Sequence, residues 1–310
     1  MTADLPDPHL LRLLRALHAH AYRFTAVTPA THARILKRDN RREARSLRDV
    51  FGWNRPFPAS LLPRDILDPL EAAGAVETKD GLLKSKLRAA SIDDHLFLHS
   101  AFPTDDEHSV FFGPDTYRFV RFIREALAGD QHYRHVVDIG AGTGAGGLAA
   151  KQLLRHARLT LSDINPEAHR LARANAAHLG ISIEQVEAPG LDGVEGPIDL
   201  IVANPPYVMD EADRAYRNGG DMHGAALSLE WALAGAERLE PGGKMLLYTG
   251  VAIVDGEDAL LAALRGELPT RGCTLDYSEI DPDIFGEELD EPPYVDVERI
   301  AAVSAIIERS

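Results

Sequence analysis

The stretch His135-Val136-Val137-Asp138-Ile139-Gly140-Ala141-Gly142-Thr143-Gly144 constrains the fold of this chain more than any other. An apolar, β-branched run breaks into a turn with glycine at alternate positions, and Leu148 to Leu154 then reads as a helix. Glycine permits tight turning and close approach of the backbone to a ligand at a helix N-terminus. Strand, glycine turn and helix in that order predict an α/β fold. Taken alone, the turn leaves nicotinamide, flavin and phosphate binders open.

Three features narrow the reading. Asp138 places an acid just before the first glycine. A second apolar strand, Leu159-Thr160-Leu161-Ser162, ends in Asp163, where a carboxylate can grip a ribose diol. Asn165 then serves as an N-cap, with Pro166 at the first helical position. Further on, Ile198-Asp199-Leu200-Ile201-Val202-Ala203 reads as a buried strand that ends in Asn204-Pro205-Pro206-Tyr207. The prolines fix φ and hold the residues before them extended. An amide side chain, two carbonyls and an aromatic ring thus share a stiff corner suited to a planar –NH2 group.

In this combination and order the chain resembles the class I S-adenosylmethionine-dependent methyltransferases of the Asn-Pro-Pro-Tyr branch, release-factor glutamine methyltransferases included. The likeness runs from about Phe111 to Ser310, and Glu240 to Tyr248 resembles that family's turn into its fifth strand. It implies a Rossmann-like seven-stranded sheet with helices on both faces and S-adenosylmethionine as cofactor. Gly140, Gly142 and Gly144 would pack against the amino-acid part of the cofactor, and Asp163 would hold the ribose. Asp138, Ala141, Thr143, Ile164 and Asn204 complete the implied cofactor side, and Thr116 covers it. Asn204, Pro205, Pro206 and Tyr207 would orient the acceptor nitrogen. In the glycine-rich loop from Tyr216 to Gly224, Met222 and His223 would contact substrate, although for any one residue a generic mobile loop is the commoner reading. The segment Val186 to Asp192 supplies no residue that aligns with the family's adenine contact.

The resemblance implies N-methylation of an amide or amino nitrogen. A protein glutamine side chain is the first expectation, because the residues after Asn204 match that family best. An exocyclic amino group of adenine or guanine in RNA or DNA is the second. A cofactor-binding module without turnover is the third, and the intact Asn204, Pro205 and Tyr207 speak against it. A nicotinamide dehydrogenase lacks a hydride-transfer partner beside the turn.

Charge divides the chain. Residues 1–100 carry 16 Lys and Arg against 12 Asp and Glu, whereas the rest carries 17 against 36. This asymmetry predicts two domains, 1–100 and 101–310. An acidic catalytic half argues against nonspecific nucleic-acid binding. The basic charge concentrates from Arg34 to Arg48, expected as a helix with Leu36 and Leu47 inward. It reads as a solvated face or as a patch for nucleic acid or an acidic partner.

The first hundred residues predict a smaller, mainly helical, winged-helix-like domain. A helix starts at Pro8, another runs from Pro63 to Gly74, and strands Ala75–Thr78 and Lys84–Ser91 flank a turn, with 92–99 continuing the sheet. This differs from the short helical bundle expected of bacterial release-factor methyltransferases. Between the domains, Phe111-Phe112 should end a strand, with Asp115 or Thr116 capping a helix from Tyr117. At the far end, Thr274–Ile280 and Arg299–Ile307 should close the sheet. The acidic stretch between them has no calcium-loop spacing and reads as solvated charge. No apolar run spans a membrane, and no basic-then-apolar leader opens the chain. The single Cys273 excludes an intramolecular disulfide and argues against a cysteine metal cluster, leaving no metal expected and a cytoplasmic location as the default.

Overall fold

The computed structural model describes residues 5–38, 42–103, 106–129, 132–209 and 219–310. Its helices are α1 (Pro8–Ala19), α2 (Pro29–Leu36), α3 (Arg64–Ala72), α4 (Pro114–Ala126), α5 (Ala145–Leu153), α6 (Pro166–His178), α7 (Ala226–Arg238) and α8 (Ala259–Glu267). The strands are β1 (Val76–Lys79), β2 (Leu82–Ser85), β3 (Leu87–Ile92), β4 (His95–Ser100), β5 (His135–Ile139) and β6 (Arg158–Asp163). Then follow β7 (Glu184–Glu187), β8 (Ile198–Ala203), β9 (Leu239–Val254), β10 (Glu257–Asp258), β11 (Cys273–Asp281) and β12 (Arg299–Arg309). They fall into two compact units: Met1–Arg118 with Gly142–Ala145 and Pro166–Ser182, and the remainder of the chain.

The larger unit holds the sheet, in the order β11-β12-β9-β8-β5-β6-β7. The pairs β5/β6, β6/β7, β5/β8 and β8/β9 are parallel, and β12 lies antiparallel to both β9 and β11. The seven-stranded sheet expected from the sequence is thus present, with the two-residue β10 added to β9. Central strands β5 and β8 are buried along nearly their whole length, as their β-branched runs require. One face packs on α7 and α8 through Trp231, Ala232, Leu260 and Leu264. On the other, Phe119 lies against Tyr248 of β9 and over Gly146 of α5. Strand order reverses between β5 and β8, so a crevice opens at their carboxyl ends, where doubly wound sheets bind ligands.

The N-terminal unit is built on the apolar face of α1, where Leu10, Leu13, Leu14 and Leu17 are fully buried. Asp7 caps that helix by accepting the His9 and Leu10 amides, with Pro8 at its first position. Helix α6 belongs to this core: Ala168, Leu171 and Ala174 pack in it, and Arg170 pairs with Asp7 at 2.8 Å. Asn175 fastens α6 to β4 by accepting the Leu98 amide and donating to the Leu98 carbonyl.

Four local expectations need correction. The N-terminal strands form two separate hairpins, β1/β2 and β3/β4, rather than one sheet. The break falls at Lys86, where the Ser85 hydroxyl takes the Leu87 amide and donates to the Leu87 carbonyl, turning the chain. No helix runs from Arg34 to Arg48: α2 stops at Leu36, and Ala44 instead donates its amide to Pro56. Residues 39–41 of that stretch lie outside the described residues. Phe111 and Phe112 form no strand; they approach α4 as irregular chain. Helix α4 begins at Pro114, not Tyr117, and the Thr116 hydroxyl accepts the Gly113 amide within its first turn. Among the described residues no helix is long and apolar enough to cross a membrane.

Candidate active site

The glycine turn leaves β5 through Gly140, whose φ of +63° favours glycine. A β-carbon at Gly140 would meet Trp231 Cη2 at 2.6 Å, so the α7 indole occupies the space a side chain would need. The Ala141 amide donates to the Ser162 carbonyl, and the Ser162 hydroxyl donates to the Gly190 carbonyl at 2.7 Å. These bonds lock the turn to the end of β6 and to the loop after β7. Gly142 and Gly144 also adopt positive φ. In the N-terminal unit, the buried Thr143 accepts Asn175 Nδ2 through its carbonyl. Thr116 likewise sits in that unit, buried at the start of α4.

Asp138 is buried at the end of β5 and accepts the Gly147 amide at 2.7 Å. Burial raises its pKa from 3.8 to about 7; the Gly147 N–H opposes the rise and the neighbouring Asp163 charge adds to it. Between those values the folded chain holds a proton that the unfolded chain has released. Stability therefore falls as pH rises from about 4 to about 7, by an amount on the order of 4 kcal/mol. Asp138→Asn keeps an oxygen for the Gly147 amide and removes the titration. Melting temperatures of the two proteins, followed from pH 4.5 to 7.5, should diverge in favour of the variant. Parallel curves would mean that Asp138 ionises as readily folded as unfolded.

At the tip of β6, Asp163 Oδ1 accepts the Asn165 amide at 2.9 Å, and the Asp163 carbonyl accepts the Ala188 amide. Ile164 follows it with 52% of its surface exposed, an unusual position for a large aliphatic side chain beside an acid. The segment Val186 to Asp192, which the sequence leaves without a role, is placed beside Asp163 by the Ala188 and Gly190 bonds.

Asn204 leaves β8 with its Oδ1 buried and, among the described residues, without a hydrogen-bond partner. An uncompensated buried acceptor is costly and calls for a donor. Pro205 is buried behind it, and Pro206 is half-buried. The Tyr207 ring lies over Gly250 of β9, where a β-carbon would come within 2.4 Å of Cδ2. Its edge meets Phe285 at 5.8 Å and 71°. A β-carbon at Gly224 would strike the Tyr207 carbonyl at 2.4 Å, and the Gly219 amide donates to the Val208 carbonyl. Next, the Met209 amide donates to the Tyr294 hydroxyl at 2.7 Å. The four-residue corner is thus held by β9, by the turn at 219–224 and by the β11–β12 connection.

Met222 and His223 both adopt left-handed backbone angles, with φ of 58° and 51°. Met222 packs against the apolar core, and His223 Nε2 lies 3.1 Å from Asp296 Oδ1. The expected loop residues Tyr216, Arg217 and Asn218 lie outside the described residues. Sequence reading gave no role to Trp231, Gly250, Phe285 or Tyr294. None carries a motif, and only the glycine at 250 inside an apolar strand signals a close approach. Among the described residues no group of three or more His, Cys, Asp or Glu could hold a metal ion.

A family model described as methyltransferase small domain matches residues 119–250. The chain is similar to the release factor glutamine methyltransferase of Deinococcus radiodurans, 35% identical over 192 residues, 60% of this chain and 66% of that protein. The protein of the same name from Koribacter versatilis is 32% identical over 155 residues, 46% of this chain and 55% of that one. The chain thus spans just under two thirds, or less, of these relatives. Among solved structures, Trm5b from Pyrococcus abyssi superposes with a TM-score of 0.51 at 12% identity, over 75% of this chain and 62% of that one. That likeness is one of fold.

Proposed function

We propose that this protein is an S-adenosylmethionine-dependent methyltransferase that modifies the side-chain nitrogen of a protein glutamine, a reading supported by the match of residues 119–250 to the methyltransferase small domain. The observation that carries the acceptor reading is the buried, unpartnered Asn204 Oδ1 at the carboxyl end of β8. A planar –NH2 group supplies the donor this oxygen lacks. The similarity to release factor glutamine methyltransferases supports glutamine as the bearer of that group.

S-adenosylmethionine, when bound, supplies a methyl group on a positively charged sulfur. The residues present fit it: Asp163 at the strand tip for the ribose hydroxyls, the exposed Ile164 for an apolar ring face, and the glycine turn for the amino-acid end. Asn204 Oδ1 accepts one acceptor N–H and the Pro205 carbonyl accepts the other. An amide nitrogen is a weak nucleophile because its lone pair is delocalised. Two accepted hydrogen bonds draw that lone pair back onto nitrogen and aim it. Methyl transfer would make the nitrogen acidic, so its proton would be released to solvent afterwards and no strong base would be needed beforehand. Tyr207, fixed by Gly250 and Phe285, walls the planar group, with Met222 and His223 on the rim. In this reading residues 101–310 perform the transfer, and the protein works in the cytoplasm.

The test is incubation with isotopically labelled S-adenosylmethionine, a glutamine-containing release-factor-like protein and, in parallel, RNA and DNA. Mass spectrometry of protease digests should show one methyl group on a glutamine. Label found only in nuclease-sensitive material would replace glutamine with the exocyclic amino group of a base.

A further inference from the structure

The N-terminal unit contains a buried cation that the transfer chemistry does not use. Arg88, on β3, is 5% exposed, and no carboxylate pairs with it among the described residues. Its Nε donates to the Gly52 carbonyl at 2.9 Å, its guanidinium sits 5.9 Å from the Phe24 ring centre, and its Nη2 has no partner. A buried guanidinium without a counter-charge is strongly disfavoured.

Two imidazoles stand beside it. His99 is the direct cross-strand partner of Arg88 in the β3/β4 hairpin, is 1% exposed, and stacks on Phe112. Its Nε2 has no partner. His32 Nε2 lies 3.1 Å from the Trp53 carbonyl, the carbonyl next in the chain to the one that receives Arg88. Because a carbonyl only accepts, His32 Nε2 carries the proton and its unpartnered Nδ1 presents a lone pair. Burial, then the Arg88 charge, pushes His32 down to about 3 and His99 well below its ordinary range, so both rings are neutral at pH 7. The hydrogen bond of His99 to the Ser100 backbone favours the protonated ring, as a donated N–H does, which leaves Nε2 as an acceptor.

A buried cationic donor therefore stands across the hairpin from His99 and one carbonyl along the chain from His32, with Arg55 and Lys84 adding positive charge near His32. An ion that only accepts would satisfy Arg88 and repel the imidazole lone pairs; a neutral donor would leave the charge uncompensated. We propose that Arg88, His99 and His32 form a binding site for a small oxyanion that carries its own proton, hydrogen phosphate being the type. An anionic oxygen takes the Arg88 Nη2 proton, and the O–H donates to an imidazole lone pair. Since the three side chains are almost wholly buried, the ligand is a free ion rather than a phosphoryl group on a macromolecule.

The test uses the full chain at pH 7 and constant ionic strength, titrated with inorganic phosphate and, separately, with sulfate, which has no proton to donate. Calorimetry should show saturable phosphate binding at one site, with sulfate at least about tenfold weaker, the discrimination expected when a donated hydrogen bond is lost in a buried site. Arg88→Met should abolish the phosphate heat and the accompanying rise in melting temperature. Absence of phosphate binding, or equal responses to phosphate and sulfate, overturns the proposal, and this comparison holds on the unmodified protein even if the variant does not fold. An Arg88→Met protein that folds and still binds phosphate also overturns it.

Discussion

Replacing Asn204 by alanine should lower turnover roughly 10²–10³-fold, the usual loss when one preorganised polar group is removed from a reacting centre. In the proposed site the cofactor is held mainly by the glycine turn and Asp163, with Asn204 a minor neighbour, so the binding of S-adenosylmethionine should change by less than about threefold. Stability should hold or rise slightly. In the free protein the Asn204 oxygen is buried without a partner, so its removal breaks no hydrogen bond and relieves an uncompensated acceptor. This pairing of lost activity with retained stability distinguishes a functional amide from a structural one. Turnover, Michaelis constant and melting temperature measured together decide the matter. Unchanged turnover, or a drop in melting temperature large enough to explain the loss, would remove Asn204 from the mechanism.

Gly140→Ala should destabilise the chain by about 2–5 kcal/mol, combining a left-handed backbone with an overpacked contact. The φ of +63° penalises any side chain, and the new methyl would lie 2.6 Å from Trp231 Cη2. Trp231→Ala alone should also destabilise, by roughly 3–5 kcal/mol, through the space it leaves in the core. The double variant should be more stable than the sum of the two losses predicts, by about 1–2 kcal/mol, since the steric part of the Gly140 penalty disappears with the indole. Urea unfolding of the four proteins reads this coupling. Strict additivity would show that Trp231 does not set the requirement at Gly140.

Much of the larger unit was legible because its signals are local. Buried parallel strands require β-branched runs, and Val136 to Ile139 and Ile198 to Ala203 are such runs. A chain leaving such strands toward a ligand needs glycines or stiff prolines, so Gly140 and Asn204-Pro205-Pro206 marked the strand ends. The antiparallel closing pair was likewise found near its true limits, as β11 and β12. Legibility failed where a side chain competed with the backbone. Ser85 divided one expected sheet into two hairpins, and Pro114, not the polar residues after it, opened α4. Between Arg34 and Arg48 the spacing of basic residues suited a helix, yet the Ala44 amide bonded to Pro56.

At the site itself, the sequence alone determined which groups stand at the carboxyl ends of β5, β6 and β8, because those groups directly follow the strands that carry them. Tertiary structure decided what surrounds them. The indole over Gly140 comes from α7, the glycine beneath Tyr207 from β9, and the Phe285 and Tyr294 contacts from the β11–β12 connection. Helix α6 joined the N-terminal core in the same way, through Arg170 and Asn175. Such neighbours are selected by close packing between segments far apart in the chain, and packing has no period or motif to read. The unpartnered oxygen of Asn204 is where the two meet: the residue was visible in the sequence, and its burial without a donor was not.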